Sequence, residues 1–295
     1  MPWFLLALVL AGQDAGSLVA RIRAIIAGPP SGEFQTAPKA APDVAVVYAR
    51  LDGAAAAALS PDTAFHAAST MKVPVMIELF RQAEAGQLTL DEQLPVKNEF
   101  HSIVDGSVYQ MDVSDDSDSE VYKAVGRTMS LRALCEAMIT VSSNFAANLL
   151  IERVGAKNVQ ATVDKLGGSG VRVLRGVEDQ KAFDKGLNNV TTARGLATLL
   201  RRLATGTAVS AKADAAMIEI LKRQTFNDAI PAGVPAGVAV AHKTGTITRI
   251  HHDAGIVYGP HPYVLVVLVR GIEDQKASAA LIAAISREVW QDASR

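Results

Sequence analysis

Cysteine is almost missing from this 295-residue chain, which carries a single one, Cys135. An internal disulfide and a zinc site built from several cysteines are therefore excluded. Cys135 lies in "LRALCEAMITV", where it reads as a small buried apolar residue rather than a nucleophile. Net charge is missing too: 29 Lys and Arg against 30 Asp and Glu leave −1. That balance gives no reason to invoke nucleic acid or an acidic polymer. No internal repeat is visible. Beyond the N-terminus, no segment reaches the roughly 18 apolar residues needed to span a bilayer. The opening "MPWFLLALVLAGQDAG" reads as a secretory signal with its apolar region at Trp3 to Leu10 and cleavage near Ala11 or Gly12, although the usual preceding Lys or Arg is absent. The expectation is a protein exported from the cytoplasm, with no transmembrane span in the mature chain.

Periodicity and punctuation organise the rest of the chain. "SLVARIRAIIAG" has helical spacing and stops at Gly28 before Pro29 and Pro30, and "VAVVYARL" (44–51) reads as a strand. A helix is expected from a cap at Ala68, Ser69 or Thr70 to about Ala85, closed by Gly86. Further helices are expected over 129–141 and 145–155, either side of "SSN", and from a Thr cap in "TTARGLATLLRRLATG". "GVAVAHKTG", "AGIVYG" and "YVLVVLVRG" are β-branched runs suited to neighbouring antiparallel strands, and "QKASAALIAAISREVW" closes the chain as a helix. Strands near both ends with helices between them predict a two-lobe α/β (α+β) fold: an antiparallel sheet built from both chain ends, flanked by helices, with an all-helical lobe inserted at about 69–220. The expected division is a signal at 1–12, a helix and lead-in at 13–43, and one domain at 44–292. The acidic stretch "DVSDDSDSE" (112–120) reads as a solvated loop.

Three short patterns carry chemistry. Ser69 and Lys72 stand at i and i+3 before a greasy helix, about 60° apart around its axis and one turn along it. A serine hydroxyl needs a base, and a lysine serves as one only when burial or nearby positive charge depresses its pKa. A chain this long contains roughly one S-x-x-K by chance, so the pair alone says little. "SSN" adds Ser142, able to pass a proton to a leaving group, and Asn144, whose amide can both hold Lys72 and donate to a substrate. "HKTG" adds Lys243 at a strand end with Thr244, able to take a carboxylate, and then Gly245 and Thr246, the glycine admitting close approach of a ligand to the backbone. His242, His251 and His252 show no recognisable metal-ligand spacing, so no metal is expected.

In this order, S-x-x-K, S-x-N and K-T-G resemble the signature of class A β-lactamases and penicillin-recognising serine hydrolases, and the likeness covers roughly residues 40–292. The resemblance implies that Ser69 is the acylated nucleophile, Lys72 its proton acceptor and Ser142 the proton shuttle to the lactam nitrogen. It makes Asn144 the substrate-side amide and Lys243 and Thr244 the carboxylate anchors, with the backbone N–H groups of Ser69 and Thr246 as oxyanion hole. It departs from the family at the deacylating glutamate, found in an E-x-x-L-N segment, where this chain reads "RGVEDQKAFDKGLNNVTT". Glu178 is the first candidate, and Asp184, four residues before Asn188, is its rival. The implied function is hydrolysis of penicillin- and cephalosporin-type lactams by a monomer without cofactor. The alternatives are a penicillin-binding protein, a D,D-peptidase or an esterase on the same scaffold.

Overall fold

The computed structural model describes residues 17–28 and 41–295, so the apolar leader lies outside the described residues. Ser17 accepts the Ala20 N–H to start α1 (Leu18–Ala27), which ends at Gly28 with φ +72°. Strands β1 (Asp43–Arg50), β2 (Ala56–Leu59) and β3 (Phe65–His66) come next. The helix expected from Ala68 to Ala85 is divided in two: a 3₁₀ turn over Ala68–Met71, then α2 (Lys72–Glu84). Short strands β4 (Gln93–Pro95), β5 (Phe100–His101), β6 (Val108–Tyr109) and β7 (Thr128–Ser130) lead to α3 (Leu131–Thr140) and α4 (Asn144–Val154). Then come α5 (Ala156–Leu166), α6 (Gln180–Asp184), β8 (Val190–Thr191), α7 (Ala193–Ala204) and α8 (Ala211–Leu221). The chain closes with β9 (Ala239–Ile247), β10 (Ile250–Tyr258), β11 (Tyr263–Arg270) and α9 (Gln275–Ala293).

Helices α5, α6 and α8 were not anticipated. The expected 145–155 helix stops at Gly155, whose φ of +83° ends α4 and directly starts α5, so one glycine joins two helices.

Both chain ends build one antiparallel sheet in the order β2-β1-β11-β10-β9. Its register sorts side chains by period 2. Val44, Val46 and Tyr48 face Val269, Val267 and Leu265 in a cluster that α1 and α9 cover, and Arg21 ties these helices together through Glu288 and Asp292 at 2.5 and 2.6 Å. Ala45, Val264, Val266 and Leu268 turn the other way, into a core shared with α2, α4 and α7. Central β11, buried on both faces, accordingly reads as an unbroken apolar run. β9 is the edge strand, and its free side lies against the Ser69 turn, where sheet and helical lobe meet. Cys135 is fully buried, as its flanks predicted.

Candidate active site

The Ser69 turn is held by histidine chemistry from the sheet. Val269 N–H donates to His252 Nδ1 at 3.2 Å, leaving Nε2–H to donate to the His66 carbonyl at 3.0 Å. This is the neutral tautomer, and burial pushes the His252 pKa down to about 4. His66 Nδ1 in turn accepts the Ala68 N–H at 3.0 Å. Ala68 sits at φ +45°, a left-handed conformation that costs a non-glycine residue about 1–2 kcal/mol. Ser69 is the next residue, partly exposed on the cleft floor, with its hydroxyl free of any protein hydrogen bond. Gly245 is required opposite: a Cβ there would stand 3.0 Å from both the Ser69 and Thr70 nitrogens, so only glycine lets β9 come this close.

In the cleft that Ser69 lines with Ser142, two lysines without exposed surface converge on one hydroxyl. Lys72 Nζ lies 2.6 Å from the Ser142 carbonyl, 2.7 Å from Asn144 Oδ1 and 3.2 Å from Ser142 Oγ. Lys243 Nζ donates to Ser142 Oγ and to the Thr244 carbonyl, both at 2.9 Å. Burial lowers the Lys72 pKa to about 7, against the opposing pull of Asp116 and Glu178. Burial, and then the charge of Lys72, hold Lys243 well below the lysine range, with Asp253 opposing. A neutral Lys72 has two N–H groups for its two carbonyl acceptors and a lone pair left for a hydroxyl proton. Ser142 thus bridges two amines whose pKa values are both depressed, and it holds that place at φ +61°.

Glu178 reaches the cleft from the loop between Arg175 and Asn189. Asn189 closes that loop, accepting the Leu174 N–H at 2.8 Å and donating to the Arg175 carbonyl at 2.9 Å. Arg175, buried, binds the carbonyls of Gly176 and Leu187, each at 2.9 Å. Both neighbours of Glu178 are pinned: Val177 by Asn148 at 2.6 and 2.9 Å, and Asp179 by Ser102 Oγ and the Ile103 N–H, both at 2.9 Å. Glu178 takes φ +61° between these anchors. Of the five described non-glycine residues at positive φ, Ala68, Ser142 and Glu178 all belong to this site, the pattern expected where surrounding structure imposes strain. The Glu178 carboxyl lies 3.5 Å from Asn144 Nδ2. It remains open to cleft water, but partial enclosure and then Asp115 raise its pKa, with Arg175 and Lys72 opposing.

Two connected clefts flank Ser69, Asn144 and Thr246. One, about 310 Å³, is lined by Glu178, Phe183 and Ile247; the other, about 300 Å³, by Asp115, Ser142, Thr244 and His251. A larger, shallow depression of about 690 Å³ around Met111 and Tyr122 holds none of these groups.

The model of the β-lactamase enzyme family matches residues 29–293. The chain belongs to that family. A curated β-lactamase of Bacillus licheniformis is 32% identical over 183 residues, so the chain spans 57% of that relative's length, and the match spans 57% of this chain. Among solved β-lactamase-fold structures, PBP-A superposes with a TM-score of 0.77 at 26% identity, covering 93% of this chain and 95% of PBP-A. A mutant of PBP-A was solved as an acyl-enzyme complex with penicillin G. A class A β-lactamase mutant of the last common ancestor of Gram-negative bacteria superposes at 0.73 and 26% identity, over 85% of this chain and 92% of that one.

Within this β-lactamase fold, several sequence expectations need amendment. Lys243 is not at a strand end but in the middle of β9, fully buried. Asp184 is exposed on α6, where it accepts from Gln180 at 2.6 Å, and is not among the residues that line the cleft with Glu178. The acidic loop is mostly solvated, except that Asp118 is buried and Asp116 accepts the Asn144 and Phe145 N–H groups at 2.9 and 2.8 Å and so caps α4. Sequence reasoning missed Asp116, Asn148, Arg175, Asp179 and Asn189 as supports of the site. Only Asn189 has a signal, its place in "LNN", where the family spacing points to Asn188 instead. His242 and Asp253 form a buried pair at 2.9 Å, and no group of three His, Cys, Asp or Glu side chains among the described residues is placed to hold a metal.

Proposed function

We propose that the protein is a serine β-lactamase of class A type. The observation that carries this reading is the meeting of Lys72 and Lys243 at the Ser142 hydroxyl, in the cleft that a free Ser69 also lines. Ser69 Oγ attacks the lactam carbonyl and its proton goes to the neutral amine of Lys72. The backbone N–H groups of Ser69 and Thr246 hold the oxyanion. As the C–N bond breaks, Ser142 delivers a proton from the lysine pair to the lactam nitrogen. Asn144 engages the substrate's side-chain amide, Thr244 and Lys243 its carboxylate, and Gly245 admits the ring against β9. Glu178 then activates the water that hydrolyses the ester on Ser69, for which a carboxyl open to cleft water is suited. No step needs a cofactor.

A second reading is a penicillin-binding protein or D,D-peptidase, in which the acyl-enzyme persists. One observation favours it: Asn189, the asparagine that closes the loop, spends its amide on Leu174 and Arg175 rather than beside Glu178. Turnover separates the readings. With nitrocefin, a burst followed by steady hydrolysis supports the β-lactamase, and a burst alone supports the binder. Ser69→Ala should abolish labelling by a fluorescent penicillin; full labelling in that variant refutes both. We also propose export directed by residues 1–12 and a single catalytic domain over 44–292 acting as a monomer. No helix among the described residues is long and apolar enough to cross a membrane.

A further inference from the structure

We propose that His251 is a substrate-binding residue of this site, contacting the carboxylate of the bound lactam beside Thr244 and Thr246; the inference rests on the β-lactam reading above. The register of β9 and β10 pairs His251 with Thr246 and Asp253 with Thr244. Directly opposed residues in an antiparallel pair share one face with Cβ atoms about 5 Å apart, and diagonal ones about 7 Å. The imidazole is therefore next to Thr246 and diagonal to Thr244, and it lines the cleft that holds Ser69 and Ser142.

Its hydrogen bonding sets it apart from its neighbours. His242 is held by Asp253 at 2.9 Å and Asn227 at 3.1 Å, and His252 by His66 and Val269. His251 is only 6% exposed, yet its Nδ1 is fully buried without a partner, and Nε2 makes no hydrogen bond to the protein. Buried polar atoms are nearly always satisfied, and an exception calls for an explanation. The other unpaired atoms among the described residues, the Tyr48 and Tyr263 hydroxyls and Ser278 Oγ, are not on the cleft wall. Only at His251 does the unpaired group belong to a ring lining the space beside the nucleophile. A ring turn about χ2 presents a nitrogen to that space, and an entering carboxylate supplies the missing acceptor. Asp115 and Asp228 line the same cleft, and Gln275 adds an uncharged donor.

The test compares a penicillin with its methyl ester on wild type, His251→Phe and His251→Gln. Phe keeps a flat ring without nitrogens and should raise KM for the acid about 10- to 100-fold, the worth of a hydrogen bond to a charged group, with kcat within about threefold. KM for the ester should not change, the melting temperature should stay level or rise, and Gln, which keeps a donor, should fall between. A folded Phe variant with wild-type KM for the acid, or one that loses equally on acid and ester, overturns the proposal. Should Phe not fold, His251→Leu is read by the same criteria. A wild type that no penicillin acylates overturns the β-lactam reading itself, and this proposal with it. A reactive wild type with an indifferent His251 variant overturns only the proposal.

Discussion

Lys72 allows a test that needs no substrate. Burial takes its folded-state pKa to about 7, against an ordinary value of 10.5 that the unfolded chain recovers. Between those values the unfolded state holds a proton that the folded state lacks, so unfolding free energy rises with pH, by at most about 1.36 kcal/mol per pH unit. The sign is that of a depressed lysine: the penalty is full below pH 7 and fades as pH climbs towards 10.5. With half the folded molecules deprotonated at pH 7, integration to pH 9 gives about 2 kcal/mol. Lys72→Met removes the ionisation while keeping an unbranched side chain. Urea unfolding of both proteins at pH 7 and 9 should show wild type gaining about 2 kcal/mol on the variant. Lys243 is shifted the same way and adds to the slope of both. Curves that stay parallel within about 0.5 kcal/mol would show that Lys72 is an ammonium in the folded protein, and the base assigned to Ser69 would be lost.

The cleft sets other outcomes. Glu178→Gln should spare attack by Ser69 and strand the ester, seen in intact mass as one added penicillin, with steady turnover down by about 10²- to 10⁴-fold. Asp184→Asn, exposed and not part of the cleft wall, should be nearly silent in the same assays, and the reverse pattern would move the base to Asp184. Asp116→Asn removes a charge that raises the Lys72 pKa, so the acid limb of kcat/KM for acylation should move to lower pH, and weaker capping of α4 should cost about 1 kcal/mol in thermal unfolding. Gly245→Ala sets a methyl 3.0 Å from the Ser69 nitrogen and should slow acylation by about 10- to 100-fold; an unchanged rate would show that β9 gives way without disturbing the nucleophile.

What the sequence determined on its own is what local chemistry controls. Ser17, Thr192 and Gly28 mark helix ends wherever a side chain or a positive φ satisfies orphan backbone groups. Period-2 burial makes β1 and the unbroken apolar run of β11 legible, and the ordered S-x-x-K, S-x-N and K-T-G patterns name Ser69, Lys72, Ser142, Asn144 and Lys243. Tertiary structure alone decided which carboxylate enters the cleft and how deep the lysines lie. Glu178 is turned inward by Asn148, Ser102 and Ile103, residues 29 to 77 positions from their partners, while Asp184, with the family's spacing, stays in solvent. Lys243 meets Ser142 across 101 residues, and Asp116 reaches α4 from a loop that reads as merely acidic. A lysine's pKa depends on the density and charge gathered around it in space, and contacts between distant segments leave no period in the sequence that assembles them.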